Sequence, residues 1–331
     1  MSRIWDWLRM TRANLPGAAA GDPDRSHVYR AALEQFEELI RAASEVGPSS
    51  RPLPLFYALA QAGRAIVAAR GGPDHRGHGL RLGAPQPDPL ETSVIAASRQ
   101  KQPGHFQAVL QAVGSPALGS PAPIGALIAS LPELAGVLFM KDEWPMALPV
   151  FERPTYQNIP IPGWTAIVIL VGEEIQTWAD LEQLTSNYPT VKGQLGEAKQ
   201  VMILPSLPRY PTPEGLGVGA LLKGGPQEFD VAAPQYRITG RRWLRPAIAA
   251  AVAPTPLMTW WAVLYALSMY ARYHPAEWVA ALDIDASNSA VTLERAMARA
   301  LEALPQLVLS ELVGMPFLVP DAAGWGADPF G

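Results

Sequence analysis

Apolar side chains recur with a helical period through the first third of the chain. Residues 25–44 place apolar side chains three to four positions apart with acidic residues between them, which predicts an amphipathic helix. Residues 52–69 are apolar on nearly every face, begin at prolines and are followed by a Gly-Gly-Pro turn, so they predict a second helix that is buried on most sides. Shorter helices are predicted over residues 106–113 and 124–131.

From about residue 136 the pattern changes to short β-prone runs bounded by glycine, proline and aspartate. Most segments between these runs show no crossover helix, so an antiparallel sheet is expected. The glycine-rich run at residues 215–224 lacks the Gly-Lys-Ser/Thr ending of a phosphate-binding loop, and it is interpreted as a flexible turn. The predicted strands cover residues 137–140, 165–171, 201–204, 229–231 and 236–238.

Helices return after Pro256, and the first of them is the most apolar part of the chain. No charged residue occurs between Arg245 and Arg272, but Pro254 and Pro256 leave only about 15 residues of uninterrupted helix, fewer than the ~20 that span a bilayer. The stretch therefore predicts a buried core helix, and no membrane association is expected. The predicted C-terminal helices cover residues 257–273, 276–282, 293–304 and 307–313.

The order of helices, strands and helices predicts an α+β fold, in which mostly helical N- and C-terminal parts pack around a small, antiparallel central sheet. The expected parts are a helical region at residues 1–135, a strand-rich region at 136–245 and a helical region at 246–331. A length of 331 residues and a hydrophobic content of 49% allow one compact unit with a sizeable core.

Charge and residue usage exclude several classes of site. The net charge of −4 gives no global attraction for nucleic acid or an anionic membrane, so any polyanion site must be a local patch. The absence of cysteine excludes disulfides and thiol chemistry. With five histidines, mostly far apart, no metal site and no cofactor are expected. The first residues lack the apolar run of a signal peptide, so a cytoplasmic location is expected.

A basic cluster occupies the end of the second predicted helix and the residues after it. Arg70 lies at the helix end, where the helix dipole favours a cation. Arg64 lies inside the apolar helix, where a lone guanidinium is costly unless it meets a carboxylate, carbonyls or a ligand. The cluster is interpreted as a structural polar network, an anion site or a catalytic site. Its members are Arg64, Arg70, His75, Arg76, His78 and Arg81, interrupted by one acid, Asp74.

A second basic cluster surrounds Trp243 and precedes the uncharged stretch. Four arginines within nine residues can hold phosphates with paired hydrogen bonds, and the tryptophan ring can stack on a base. The alternative is a solvated basic edge, since local charge runs are common on protein surfaces. The arginines of this cluster are Arg237, Arg241, Arg242 and Arg245.

The C-terminal helix break also carries polar residues. Arg272 and Glu277 flank the break that Pro275 imposes, and they are expected to form an ion pair across it. Tyr265, Ser268 and Arg272 follow one another at helical spacings, so they are candidates to line a pocket in which Arg272 contacts a ligand.

Three segments resemble the YaaC-like family of bacterial proteins. They are the block WWAVLYALSMYARYHPAEW at residues 260–278, the helix PLPLFYALAQAGRAI at residues 52–66 and the later sequence His78-Gly-Leu. Members of that family carry an LYNLSMxxRYxxEWW-type block near the C-terminus and an early helix followed by HG. The family's usual asparagine is Ala266 here, and one of its paired tryptophans is Val279. The resemblance implies a bacterial, soluble, intracellular protein and leaves its chemistry open.

Residues 57–80 also resemble, more loosely, the helical HEPN domains, many of which act as metal-independent ribonucleases. Those enzymes use an arginine and a histidine separated by four to six residues, a spacing that Arg70 and His75 meet. In such a site a histidine abstracts the ribose 2′-hydroxyl proton and an arginine stabilises the phosphorane. The catalytic candidates are therefore Arg70, His75 and His78.

Three functions remain open. The leading prediction is a non-enzymatic regulatory or effector module that binds a partner protein or a phosphate-bearing ligand, a nucleotide or RNA, through the arginine clusters. The alternatives are a HEPN-type endoribonuclease and a structural subunit of a larger assembly. Self-association into a homo-oligomer is also expected, because the helices from Pro52 and Leu257 are apolar on more faces than a single sheet covers.

Overall fold

The structure is a computed structural model, and it describes the helical regions of the chain together with the strands of the central region. The described residues are 2–73, 77–96, 104–134, 144–151, 155–156, 159–160, 164–170, 188, 201–203, 210–212, 215–223, 237–238, 241–314 and 318–319.

The N-terminal part is helical, as its amphipathic pattern predicts. The second helix begins with Pro23 in its first turn, and the Asp22 side chain accepts hydrogen bonds from the backbone N–H groups of Asp24 and Arg25. The third helix ends at Gly71, whose φ of 79° places it in the left-handed region typical of a helix C-terminus. The helices are α1 (Ser2–Ala13), α2 (Pro23–Glu45) and α3 (Pro52–Arg70), with a 3-10 turn at Gly17–Ala20.

A small antiparallel sheet follows α3, and the sequence pattern did not predict it. Its strands have two to four residues, which is too short for an alternating pattern to stand out. The strand order is β1-β2-β3. The elements of this part are β1 (Leu80–Leu82), β2 (Ser93–Ala96), α4 (His105–Ala112), β3 (Ala122–Pro123) and α5 (Ile124–Ala129), with 3-10 turns at Pro89–Glu91 and Pro132–Leu134.

The central region forms a larger sheet, and its pairings are antiparallel except for the parallel pair β11 and β13. The strand order is β13-β11-β12-β4-β7-β10-β8, β9 pairs with β10, and β5 pairs with β6 apart from this sheet. The strands are β4 (Leu148–Phe151), β5 (Thr155–Tyr156), β6 (Ile159–Pro160), β7 (Trp164–Leu170), β8 (Val201–Ile203), β9 (Tyr210–Thr212), β10 (Gly215–Lys223), β11 (Arg237–Ile238), β12 (Arg241–Leu244) and β13 (Leu318–Val319).

The interpretation of the glycine-rich run as a flexible turn was wrong. Gly215–Lys223 is β10, which pairs with β7 on one side and with β8 and β9 on the other. Gly215, Gly217 and Gly219 alternate with larger residues, and this two-residue period is the signature of a strand. The predicted strands at residues 137–140 and 229–231 lie outside the described residues.

The described part of the chain after β12 contains the helices α6 (Pro256–Tyr273), α7 (Pro275–Ala281) and α8 (Ala290–Val313). The two helices predicted at residues 293–304 and 307–313 are one continuous helix with Pro305 inside it. Proline removes one backbone hydrogen bond from a helix, but buried Leu304, Leu307 and Val308 on both sides of Pro305 hold α8 in the core. The packing of these side chains therefore outweighs the local preference of proline.

The hydrophobic core joins the two helical ends of the chain, which confirms the predicted α+β architecture. Helix α6 packs against α3, α5 and α8, and Trp260 and Trp261 are at most 1% exposed. Because the chain itself covers most faces of α3 and α6, the reason given above for self-association does not hold, and self-association stays a prediction. No helix among the described residues combines the length and the apolar character that crossing a membrane requires.

Candidate ligand site at His78 and Arg272

The loop that carries His78 is fixed by its backbone. The flanking glycines Gly77 and Gly79 have φ values of 84° and 76°, a left-handed conformation that costs other residues about 1–2 kcal/mol each. The carbonyl oxygens of Gly77 and His78 accept hydrogen bonds from the backbone N–H groups of His105 and Phe106, at 2.8 and 3.2 Å. The loop therefore lies against the first turn of α4.

A close approach between two glycines tightens this attachment. A Cβ atom on Gly104 would lie 2.3 Å from the backbone nitrogen of Gly79, so a larger residue at position 104 would push the loop away. The Gln107 side chain connects the His78 loop to the start of α4. Its Nε2 donates to the Gly79 carbonyl, and its Oε1 accepts from the Gly104 N–H. These residues hold the backbone of His78 in one position relative to α4.

The His78 imidazole packs against aromatic rings of two helices. Its ring centroid lies 5.5 Å from that of Phe56 on α3 and 5.6 Å from that of Tyr265 on α6. Phe56 and Tyr265 contact each other edge to face at 5.6 Å and are buried. The histidine remains exposed to solvent beyond these contacts. One side of the imidazole thus has a fixed aromatic support, and the ring remains accessible.

Arg272 is the charged neighbour of this aromatic cluster. Its Nη2 donates a hydrogen bond to the Tyr273 hydroxyl at 2.9 Å, and its Cζ lies 4.9 Å from the centre of the Tyr273 ring. Partial burial lowers the pKa of His78 below its ordinary value of 6.5, and the positive charge of Arg272 lowers that pKa further. Burial raises the pKa of the Tyr265 phenol, an effect that Tyr273 reinforces and Arg272 opposes.

The expected ion pair between Arg272 and Glu277 is not formed. The charged contacts of the described residues do not include it, and both side chains are exposed. The turn is closed by backbone hydrogen bonds instead, since the His274 N–H donates to Tyr270 and the His274 carbonyl accepts from Trp278. Ser268 is buried and donates to the Tyr265 carbonyl, so its hydroxyl forms a hydrogen bond within α6 and does not line a ligand pocket.

The structure separates the members of the first basic cluster. Arg64 needs no carboxylate or ligand to offset burial, because its side chain is exposed and donates to Gln61 Oε1 on the same helix. Arg70 Nη2 donates to the Glu311 carbonyl in the last turn of α8, where a cation is favourable. Arg81 is exposed on β1. None of the ring or charge contacts of His78 involves Arg64 or Arg70. His75 and Arg76 lie outside the described residues.

The two members of the second basic cluster whose side chains are described, Trp243 and Arg245, are part of the fold. The Trp243 ring is 1% exposed, so its interpretation as a stacking surface for a base was wrong. Arg245 is also buried and donates hydrogen bonds to the carbonyls of Ser130 and Pro254 and to the Thr259 hydroxyl. Its guanidinium therefore binds groups of the protein. Arg237, Arg241 and Arg242 have backbones in β11 and β12, and their side chains lie outside the described part of the chain.

Sequence reasoning singled out both His78 and Arg272, but it could not establish how they lie relative to each other. The pairing depends on the packing of α3 against α6, which brings Phe56 and Tyr265 together, and no local pattern in either segment reports that packing. In the sequence, the segment at His78 and the block at residues 260–278 are connected only because both resemble the same family. Among the described residues, no group of three histidine, aspartate or glutamate side chains has an arrangement that could hold a metal ion.

The chain was compared with known protein families, curated proteins and solved structures. The family described as YaaC-like protein matches residues 10–312. That match covers most of both helical ends and every strand of the central sheet described here except β13, and it includes Phe56, His78, Tyr265 and Arg272. No curated protein and no solved structure matches the chain. The HEPN resemblance of residues 57–80 gains no support from these comparisons.

Proposed function

The chain belongs to the YaaC-like protein family, and from that premise we propose that it is a non-enzymatic binding module for a phosphate-bearing ligand, with His78 and Arg272 as the binding residues. The observation that carries the proposal is an exposed imidazole, His78, that lies against the buried Tyr265 ring and feels the positive charge of Arg272 on the same side of the protein core. Regulation or signalling through the bound ligand would then be the role of the protein.

The charges of the site favour an anion. Arg272 lowers the pKa of His78, which means that a proton on His78 is repelled by the guanidinium. Among the described residues no carboxylate forms an ion pair with Arg272. An anion placed between the two side chains would remove this repulsion, and a guanidinium offers five N–H donors in a geometry that suits phosphate.

Binding should therefore be linked to protonation. An anion beside His78 favours the imidazolium form, so the pKa of His78 is higher in the complex than in the free protein. Affinity should rise as pH falls below the pKa of the complex, and it should level off below the pKa of the free protein. Sulfate suits this test because it does not titrate in this pH range, whereas inorganic phosphate does.

The direct test compares arginine variants. Arg272→Gln should weaken the binding of inorganic phosphate by about tenfold or more, because a charge-assisted hydrogen bond contributes roughly 1.5–3 kcal/mol. Arg64→Gln removes an equal charge from an exposed position on α3, where the guanidinium donates to Gln61 of the same helix, so it should bind phosphate like the wild type. Equal affinity in both variants, or no binding by the wild type, would reject the proposal. Calorimetric titration at low salt measures both affinities.

An RNA-cleaving enzyme is the second candidate, and one observation favours it. Because burial and Arg272 lower its pKa, His78 is neutral near pH 7 and can accept a proton beside a cation. Such an enzyme would use His78 and Arg272 in place of Arg70 and His75. Wild type, His78→Ala and His75→Ala would be incubated with RNA and a chelator. Cleavage lost only in His78→Ala would support the enzyme, and intact RNA in every sample would reject it.

We propose the bacterial cytoplasm as the location of the protein, as the family resemblance implies. Self-association and binding of a partner protein are also proposed. A structural subunit is the function that remains if neither phosphate nor RNA binds. Light scattering over a range of concentrations would test self-association, and a monomer mass at every concentration would reject it.

A further inference from the structure

Two exposed tyrosines adjoin the site: Tyr57 contacts its aromatic cluster, and Tyr273 contacts Arg272. Phe56 contacts Tyr57 at 5.9 Å between ring centroids, and Phe56 in turn contacts His78 and Tyr265. Tyr273 carries the Arg272 guanidinium over its ring. The side chains of Tyr57 and Tyr273 are 42% and 57% exposed. Tyr273 combines its exposure with the adjacent charge of Arg272, so its open ring face is the one that remains for a ligand.

Building on the proposed function, we propose that the ligand is a mononucleotide whose phosphate binds Arg272 and His78 and whose base stacks on Tyr273. The Arg272 Cζ lies 4.9 Å from the centre of the Tyr273 ring, so an anion contact and a stacking surface are adjacent. The phosphate and base of one nucleotide are likewise separated by a single ribose. The phosphate contact alone would accept any small anion, and the stacking contact adds a preference for anions that carry a base.

Arg272 can bind a phosphate while it keeps its hydrogen bond to Tyr273. One of its N–H groups donates to the Tyr273 hydroxyl at 2.9 Å, and a guanidinium has five such donors. This hydrogen bond fixes the tyrosine side chain relative to the charge, which reduces the entropy lost when a ligand contacts both. Tyr273 is thus held in place before a base arrives.

The number of charges favours a mononucleotide over an RNA chain. Arg272 supplies one permanent positive charge and His78 gains a second when a bound anion favours its protonation, which suits one phosphate group, and the chain as a whole has a net charge of −4. RNA binding relies on several phosphate contacts and therefore weakens steeply with salt. A site of this kind gives a shallow dependence on salt and gains much of its affinity from stacking.

The test separates the base from the phosphate. Wild-type protein should bind adenosine 5′-monophosphate more tightly than ribose 5-phosphate by about tenfold, because the base adds a stacking contact with an aromatic side chain. Tyr273→Leu should lose this preference and keep its affinity for ribose 5-phosphate. Tyr273→Phe retains the ring and should keep the preference. Tyr57→Leu is the matched control, since it removes an exposed tyrosine that does not contact Arg272, and it should behave like the wild type.

The outcomes distinguish the two proposals. If adenosine 5′-monophosphate and ribose 5-phosphate bind equally well, the nucleotide inference is overturned while the phosphate site stands. If neither binds, both proposals fail. Loss of the preference in Tyr57→Leu and not in Tyr273→Leu overturns the assignment of the stacking residue. An RNA oligonucleotide that binds more tightly than the mononucleotide, with a steep salt dependence, overturns the ligand class.

Discussion

The His78 imidazole lies against the Tyr265 ring, with centroids 5.6 Å apart and planes inclined by 51°. The contact joins the loop after α3 to the middle of α6, and Arg272 lies two turns further along the same helix. Because Tyr265 is buried and His78 is exposed, the imidazole is held from one side by the core. The position of Arg272 relative to His78 therefore depends on how α3 and α6 pack.

Replacing Gly79 should displace His78 without unfolding the protein. In Gly79→Ala, the new Cβ would lie 1.9 Å from Gln107 Oε1 and 3.1 Å from the Gly104 Cα, and φ of 76° adds about 1–2 kcal/mol of strain. We expect a loss of roughly 1–3 kcal/mol in the free energy of unfolding together with loss of phosphate binding. Denaturant unfolding and calorimetry measure the two effects.

The control for this prediction is Gly21→Ala, because a Cβ at Gly21 has no atom within 4 Å. That variant should keep its stability within about 0.5 kcal/mol and bind phosphate like the wild type. Normal phosphate binding in Gly79→Ala would show that the loop tolerates a side chain and does not need its glycine to place His78.

Gly63 sets the distance between α3 and α6. A Cβ at this position would lie 2.5 Å from the Trp261 ring and 2.7 Å from a Val109 methyl group. Alanine gains about 1 kcal/mol over glycine in helix propensity, but overpacking a well-packed core costs typically 1–3 kcal/mol. Gly63→Ala should therefore destabilise the protein, as measured by thermal unfolding. A higher melting temperature would contradict the close packing of the two helices.

The two adjacent tryptophans of α6 should respond differently to loss of the indole N–H. Trp260 Nε1 donates to Glu133 Oε1 at 3.2 Å, whereas Trp261 Nε1 has no hydrogen-bond partner among the described residues. Trp260→Phe should therefore cost about 1–3 kcal/mol more than Trp261→Phe. Trp261→Ala should cost about 3–5 kcal/mol, because the ring is buried. Equal losses in the two phenylalanine variants would argue against the Trp260–Glu133 hydrogen bond.

Much of the helical architecture could be predicted from the sequence, but the site could not. The helical period, the prolines at helix starts and the glycine after Arg70 are local signals, and α2, α3 and α6 begin and end close to their predicted bounds. Strand β10 was missed because glycines were given more weight than their two-residue period. The contact of His78 with Tyr265 connects distant parts of the chain, so no local pattern encodes it.

Glu311 should make stability depend on pH. Burial raises the pKa of this carboxyl to about 7, although the nearby Arg70 opposes the shift. The folded pKa thus exceeds the ordinary value of 4.5, so the unfolded chain loses this proton first and stability falls as pH rises between about 4.5 and 7. Glu311→Gln should flatten this decline and be more stable than the wild type above about pH 7.

Melting temperatures measured across this pH range would check the prediction for Glu311. Glu38→Gln serves as the control, because it removes a carboxylate that is exposed on α2, and its pH profile should follow that of the wild type. If the profiles of Glu311→Gln and the wild type run parallel, Glu311 is not buried in the way that the structure indicates.

The pKa of His78 in the presence and absence of inorganic phosphate tests the proposed site most directly, and it can be measured by NMR. In the free wild type we expect a value below 6.5, which rises in Arg272→Gln and stays unchanged in Arg64→Gln. Phosphate should raise the pKa of His78 in the wild type and have a much smaller effect in Arg272→Gln. A His78 pKa in the wild type that is the same with and without phosphate would contradict an anion site at His78 and Arg272.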